Sequence, residues 1–223
     1  MDKADQGYWS TVIEPLIRAT PNVEFVGEIN EARKADFLGR LHPDKGVHLA
    51  IDAARAVGLP IVVAGKCSEP LEKEYYRTHI APRLGPDVTI FGTADAVAKR
   101  DLLSRAAALV FPILWDEPFG MVMIEAMACG TPVIAFRCGS VPEVIDHGVS
   151  GYIVDDLDEA VAAIDWLNEL DRAVVRHQFE RRFSVERMTR DYVQIYRSLG
   201  EHRIVPLPPP VGTPKTKTMQ RVA

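Results

Sequence analysis

The stretch Pro60-Ile61-Val62-Val63-Ala64-Gly65 is an uninterrupted apolar run. A run without alternating polar residues is typical of a strand that is buried on both faces of a parallel sheet. Short apolar segments of the same kind recur at residues 88–92, 108–112, 132–136 and 151–154. Together they predict the strands of one parallel sheet.

Helical patterns separate these strands. Residues 45–57 carry an apolar stripe at helical spacing and are followed by Gly58, a typical residue at a helix end. Further helices are predicted at residues 72–84, 96–107, 119–129, 156–170 and 184–199. This alternation predicts right-handed βαβ units and an α/β, doubly wound, Rossmann-like parallel sheet. In that architecture ligands bind beyond the carboxyl ends of the strands.

The start of the predicted domain contains a conflict. Residues 37–41 are expected to form the end of a first strand, but Lys34-Ala35-Asp36 places charged residues where a central strand favours apolar ones. As a continuation of Glu31-Ala32-Arg33, this segment favours a helix, so local preference and fold disagree here. We place the folded domain at residues 37–200.

Both ends of the chain fall outside that domain. Residues 1–36 are a partial duplicate of residues 75–101, because residues 8–40 align with residues 75–105 once a two-residue gap is allowed. The two copies are not adjacent, which excludes a solenoid and indicates duplication or recombination. Residues 201–223 are rich in proline and predict a disordered tail.

The composition limits the partners. The chain is 47% hydrophobic and 26% charged, the balance of a soluble globular protein. A net charge of −5 gives no reason to expect nucleic acid or an anionic membrane, and an anionic ligand would need a local cationic site. We find neither an apolar run of about 20 residues nor a signal-peptide core, and expect a cytoplasmic protein without a transmembrane segment.

The segment from Trp115 to Gly130 carries the chemistry. Glu117 and Glu125 stand eight residues apart, so both carboxylates can face one ligand across two turns of the helix. Carboxylates accept two hydrogen bonds from a diol, as in a sugar or a ribose. Gly120 leaves bare backbone at the helix N-terminus, where free N–H groups attract a phosphate. These features predict a nucleotide-sugar site.

Three motifs then resemble one family. The segment just described, residues 39–46 (GRLHPDKG) and residues 139–145 (GSVPEVI) follow the order found in glycosyltransferase family 4. The resemblance covers about residues 37–199 and implies the C-terminal, donor-binding half of a GT-B glycosyltransferase. The expected reaction is transfer of a hexosyl group from a nucleotide-diphospho-sugar, with retention of configuration.

The resemblance also implies roles for individual residues. Arg40 and Lys45 would neutralise the donor diphosphate, Glu117 would hold the transferred sugar and Glu125 the ribose. We count Arg40, Lys45 and Glu117 as catalytic. The expected donor-binding residues are Gly39, Gly92, Phe119, Gly120, Met121, Val122 and Glu125. Met121, Met123 and Met127 are also expected to face the core.

The family implies a UDP- or GDP-sugar as donor, an unknown acceptor and no metal or other cofactor. Its members have a first domain that binds the acceptor, and residues 1–36 cannot form one. We therefore carry two hypotheses. In the first, the chain is a glycosyltransferase that acts with a separate acceptor domain or is a fragment of one. In the second, it is a non-catalytic nucleotide-sugar-binding module or a decaying gene product. A nucleotide-sugar epimerase is a distant third interpretation. Exposed apolar surface makes self-association a further expectation.

Overall fold

The computed structural model describes residues 34–201. Most of the duplicated segment 1–36 and nearly all of the tail 201–223 lie outside these residues, so both interpretations stay predictions, as do the domain limits. The chain divides into two compact units between Arg187 and Met188. Nowhere in residues 34–201 is a helix long and apolar enough to cross a membrane.

A six-stranded parallel sheet forms the centre of the first unit. The strands are β1 (Ala35–Leu38), β2 (Ile61–Ala64), β3 (Val88–Gly92), β4 (Ala108–Phe111), β5 (Val133–Phe136) and β6 (Gly151–Val154). Their order across the sheet is β3-β2-β1-β4-β5-β6. The chain thus runs outward from β1 to one edge, returns beside β1 as β4 and continues to the other edge. The predicted α/β, doubly wound parallel sheet is confirmed.

Helices connect the strands and follow the last of them. They are α1 (Val47–Ala56), α2 (Pro70–Tyr75), α3 (Ala96–Arg105), α4 (Met121–Ala128), α5 (Val141–Val144), α6 (Leu157–Asp165), α7 (Arg172–Phe183) and α8 (Val185–Glu201). Local signals start several of them. Asp95 caps α3 by accepting a hydrogen bond from Ala98 N, and Asp156 caps α6 by accepting one from Glu159 N. A side-chain cap of this kind contributes about 1 kcal/mol.

The apolar runs are buried except at one edge of the sheet. Every residue of β1, β2, β4 and β6 is buried, whereas the edge strand β3 is largely exposed. Burying one such aliphatic side chain contributes about 1.5–3 kcal/mol, so the central strands account for much of the stability. They also give the loops at their carboxyl ends a rigid base.

The first strand differs from its prediction. β1 spans Ala35–Leu38, so it ends three residues before residue 41, and the expectation that residues 34–36 favour a helix was wrong for Ala35 and Asp36. Pairing with β2 and β4 overrides the local preference, and it places Asp36 opposite Val62 and Leu109. Asp36 is only 2% exposed, and burial raises the pKa of its carboxyl to about 7.

Two predicted helices also change. The helix expected at residues 72–84 starts at Pro70 and becomes a π-helical turn at Tyr76–Ile80 and a 3₁₀ turn at Ala81–Arg83. The helix expected from Phe119 begins at Met121, because Gly120 takes the left-handed conformation with φ 72°. Met121 is 59% exposed, so its expected place in the core was wrong, whereas Met123 and Met127 are buried.

Candidate functional site

The strand order reverses between β1 and β4, which is where a parallel sheet of this type forms its ligand-binding crevice. The two strands are neighbours, yet the chain leaves them toward opposite parts of the sheet, so the loops after them separate at their carboxyl ends. Residues 39–46 form the loop after β1, and residues 112–120 form the loop after β4. Both contain motifs that the sequence singles out for donor binding.

The two loops are tied together at their bases. Leu114 N donates a 2.8 Å hydrogen bond to Asp44 O. Gly46 packs so closely on the other loop that a Cβ at this position would lie 2.0 Å from Pro112 O, and its φ is 64°. Only glycine combines this conformation with this close approach. The crevice therefore has a defined geometry before any ligand enters.

An ion pair spans the crevice. Lys45, at the end of the 3₁₀ turn Pro43–Lys45, contacts Glu117 Oε2 through its Nζ. Both side chains are largely buried, at 14% and 12% exposure, which makes their charges less screened than those of a surface pair. Trp115 Nε1 donates a 3.0 Å hydrogen bond to the same Glu117 oxygen. The structure thus brings together two of the three residues predicted to be catalytic.

The loop that carries Glu117 has a second support. Ser140 N donates a 2.8 Å hydrogen bond to Glu117 O, and Cys138 Sγ lies 3.7 Å from Asp116 Oδ1. Both partners belong to the segment between β5 and α5. The motif at residues 139–145 therefore supports the motif at residues 115–130, and Glu117 is held on two sides.

A second ion pair lies on α4. Glu125 Oε1 and Lys99 Nζ are 2.5 Å apart, and about a third of each side chain is exposed. Lys99 belongs to α3 and did not figure among the predicted site residues. No motif marks it, because its relation to Glu125 arises only when α3 and α4 pack together.

Between the two pairs lies the start of α4. Phe119 and Met121 are exposed, Val122 is half-buried and Gly120 is the N-cap. The first N–H groups of a helix have no partner inside the helix, and the helix dipole adds a partial positive charge there. This end of α4 is a surface on which an anionic group can be bound.

Arg40 stands on the other side of the loop after β1. Its side chain is 51% exposed, and its Nη1 lies 3.6 Å from Glu72 Oε1 and 3.9 Å from Glu69 Oε1. Arg40 does not share a contact with Lys45 or Glu117 among the described interactions. The third predicted catalytic residue is therefore held by α2 and its N-cap, which the sequence did not suggest.

The predicted glycines Gly39 and Gly92 follow β1 and end β3. Gly65 N donates a 2.7 Å hydrogen bond to Gly92 O, and a Cβ on Gly65 would lie 1.8 Å from Gly39 O. Both glycines thus lie against the loop after β2, at the same edge of the sheet as the ion pairs. Their predicted contacts with a donor stay predictions.

Metal ligands do not gather in this part of the chain. Within residues 34–201, no three His, Cys, Asp or Glu side chains lie close enough together to hold a metal ion. Whether the reaction requires a metal is a separate matter, and the expectation of a metal-free site stays a prediction.

Comparison with known proteins shows the family of this chain. Residues 21–182 match the family described as glycosyl transferases group 1. The chain belongs to this family. Among curated members, D-inositol 3-phosphate glycosyltransferase from Saccharomonospora viridis is 33% identical over 185 residues, covering 72% of this chain and 42% of the relative. The Mycobacterium tuberculosis protein of the same name is 32% identical over 187 residues, covering 77% and 38%.

Solved structures of other proteins are similar to this chain in fold. HepE from Anabaena, in complex with UDP-glucose, superimposes with a TM-score of 0.65 at 23% identity, covering 78% of this chain and 50% of HepE. Sucrose-phosphate synthase from Thermosynechococcus elongatus gives a TM-score of 0.65 at 27% identity, covering 78% and 47%. This group 1 chain spans less than half the length of the curated relatives and about half of the solved chains.

Proposed function

We propose that this group 1 chain is the donor-binding domain of a retaining glycosyltransferase of family 4 and the GT-B type. It would bind a nucleotide-diphospho-sugar and contribute to transfer of a hexosyl group. The observation that carries the proposal is the arrangement at the crevice, where two Lys–Glu pairs flank the open N-terminus of α4. A donor of this class carries two charged phosphates between two groups rich in hydroxyls, which is the pattern that these side chains can bind.

Donor binding would exchange partners within the site. In the structure Lys45 and Glu117 neutralise each other. With a donor bound, Lys45 and Arg40 would hold the diphosphate, and Glu117 would accept hydrogen bonds from the sugar hydroxyls. Glu125 would turn from Lys99 to the ribose hydroxyls, and the N–H groups of residues 119–122 would contact the phosphates or the sugar.

The chemical role of the cations would be to stabilise the leaving nucleotide. Charge accumulates on the diphosphate as the sugar leaves, and positive groups fixed in place beforehand stabilise that charge without reorganising. One such group typically contributes about 3–4 kcal/mol at the transition state. In this proposal Arg40 and Lys45 supply that stabilisation, without a metal ion.

The donor is proposed to be a UDP- or GDP-sugar. HepE was crystallised with UDP-glucose and with UDP and glucose, which supports a uridine nucleotide as the first candidate. The acceptor would be bound by a further domain, encoded in the same protein, on a separate chain or supplied by self-association. This is consistent with a match that covers only 42% of a curated relative.

Thermal unfolding with a nucleotide panel tests the donor site. UDP, GDP and ADP are added separately to the purified chain. At about 100 times its dissociation constant, a ligand stabilises the folded state by about 2.7 kcal/mol, which raises Tm by roughly 5–10 °C for a domain of this size. We expect one nucleotide to raise Tm and Glu125→Ala to abolish the rise. Glu180→Ala, on α7, is the control and should leave the rise unchanged.

A well-folded chain whose Tm responds to none of these nucleotides would contradict the proposed donor site and leave only the family fold. A rise that is equal in the wild type and in Glu125→Ala would place the nucleotide elsewhere on the chain.

A further inference from the structure

We propose that Glu72 is a positioning residue for Arg40, and that it fixes this guanidinium in the orientation in which it meets the donor diphosphate. The inference rests on the proposed function. It begins from a contact that the sequence did not reveal: Arg40 Nη1 lies 3.6 Å from Glu72 Oε1. A residue of the loop after β1 and a residue of α2 thus share one electrostatic contact.

Glu72 is an unusual residue to find in this place. Its side chain is fully buried, with 0% exposure. Its Oε2 accepts hydrogen bonds from Ser68 N, at 2.8 Å, and from Glu69 N, at 3.0 Å. These two backbone bonds hold the pKa of the Glu72 carboxyl below its ordinary value, so the group is charged. Its position and its charge are therefore both fixed by the start of α2.

The other oxygen of this carboxylate has no comparable partner. Among the described residues Oε1 makes no hydrogen bond, although it is buried. A buried oxygen without a hydrogen bond costs free energy, so the arrangement calls for a reason beyond capping α2. The nearest cation to this oxygen is Arg40. The geometry points to Arg40 as the group that this oxygen serves.

Arg40 needs such a partner. Half of its side chain is exposed, and a long, exposed arginine samples many rotamers unless something holds it. The backbones of the loops after β1 and β2 are already joined, because Leu41 N donates a 3.0 Å hydrogen bond to Lys66 O. Glu72 extends this connection to the side chain, so that Arg40 keeps one orientation relative to the crevice.

The charge of Glu72 would itself repel a diphosphate. This repulsion opposes the benefit of holding Arg40 in one orientation. That charge is offset by the two N–H groups that hold it and by the positive end of α2. Arg40 Nη1 is also beyond ordinary hydrogen-bond distance from Oε1, so its donors stay available to a ligand. Orientation is therefore the larger effect, and loss of the Glu72 charge should weaken diphosphate binding.

The variant Glu72→Gln tests this role with little change in shape. A glutamine can keep the acceptor for the two N–H groups of α2, while its amide lacks the charge that attracts Arg40. Holding one rotamer-rich side chain in place corresponds to a change of about 3- to 10-fold in a dissociation constant. We therefore expect Glu72→Gln to weaken binding of UDP or GDP, whichever the wild-type chain binds, by about 3- to 10-fold.

The control is Glu69→Gln, which removes a charge at a similar distance from the same nitrogen of Arg40. The Glu69 side chain is 59% exposed, so its charge is screened by solvent and this variant should change binding less than about 2-fold. Both substitutions are repeated with Arg40→Ala, and dissociation constants are measured calorimetrically with UDP and with GDP. The unfolding midpoint of each variant is recorded in parallel.

A positioning role requires that Glu72→Gln weakens binding when Arg40 is present and has no effect in the Arg40→Ala background. A purely structural role would weaken binding equally in both backgrounds and would overturn the inference. An unchanged affinity in Glu72→Gln would also overturn it and leave the proposed function intact. A wild-type chain that binds neither nucleotide would overturn the proposed function, and the positioning role with it.

Discussion

Replacing Lys45 by methionine is expected to weaken binding of the diphosphate nucleotide by about 10- to 100-fold, the range for loss of one charge-assisted hydrogen bond. Methionine keeps most of the length of the side chain and its packing near Trp115, whose ring centroid lies 5.0 Å from Lys45 Nζ. The variant therefore removes the charge with little change in shape. Isothermal titration with UDP and GDP measures the effect.

This substitution also leaves the largely buried Glu117 without its cation, which by itself destabilises the fold. The double variant Lys45→Met with Glu117→Gln removes that unpaired charge and should restore stability without restoring binding. Lys73→Met, on the exposed side of α2, is the matched control and should bind as the wild type does. If Lys45→Met bound the nucleotide with wild-type affinity, Lys45 could not be the diphosphate ligand.

Replacing Asp36 by valine should stabilise the chain, and more strongly at high pH. Burial raises the pKa of Asp36 from 3.8 to about 7, so the folded chain holds a proton that the unfolded chain releases. Stability is therefore lost as pH rises from about 4 to about 7, and the loss levels off above pH 7. At about 1.4 kcal/mol per pKa unit, the cost in folding free energy amounts to about 2 kcal/mol at pH 5 and about 4 kcal/mol at pH 8.

Valine removes this penalty and suits a central strand between Val62 and Leu109. Urea unfolding should show that Asp36→Val raises the free energy of unfolding, and that this increase is about 2–3 kcal/mol larger at pH 8 than at pH 5. Asp101→Val is the control, since Asp101 is exposed on α3 and occupies the equivalent position of the repeat. Its effect should stay within about 0.5 kcal/mol at both values. A pH-independent gain at Asp36 would contradict the account.

The same repeat shows what local sequence can and cannot predict. Residues 34–40 (KADFLGR) align with residues 99–105 (KRDLLSR), yet the first segment contains strand β1 and the second is part of helix α3. The aspartate is buried in the strand and exposed on the helix. Propensity alone would give both segments one structure, and the pairing of β1 with β2 and β4 decides otherwise.

Elsewhere the local sequence preferences agree with the observed fold. Apolar runs such as residues 60–65 and 132–136 have no polar face, so they can only lie inside a covered sheet. Capping residues such as Asp156 then set the helix boundaries. The boundaries that shifted lie where a helix begins at a left-handed glycine, as at Gly120, or changes its winding, as after Tyr75.

For the site, the motifs identify candidate residues but do not predict which of these residues contact each other. Lys45 and Glu117 lie 72 positions apart in sequence, and only the neighbouring positions of β1 and β4 bring them into one ion pair. Lys99 and Glu72 belong to no motif that we recognised, and their relation to Glu125 and Arg40 depends on how α2, α3 and α4 pack. Contacts of this kind cannot be inferred from one sequence without the fold.

The proposed function depends on where the nucleotide binds. A crystal structure of the chain soaked with the nucleotide that raises Tm tests this most directly. We predict diphosphate density between β1 and β4, with phosphate oxygens at hydrogen-bond distance, about 3 Å, from Lys45 Nζ and from the first N–H groups of α4, and with the Lys45–Glu117 pair opened. Density at the opposite, amino-terminal edge of the sheet, near Arg172 and Pro132, would contradict the assignment of the donor site.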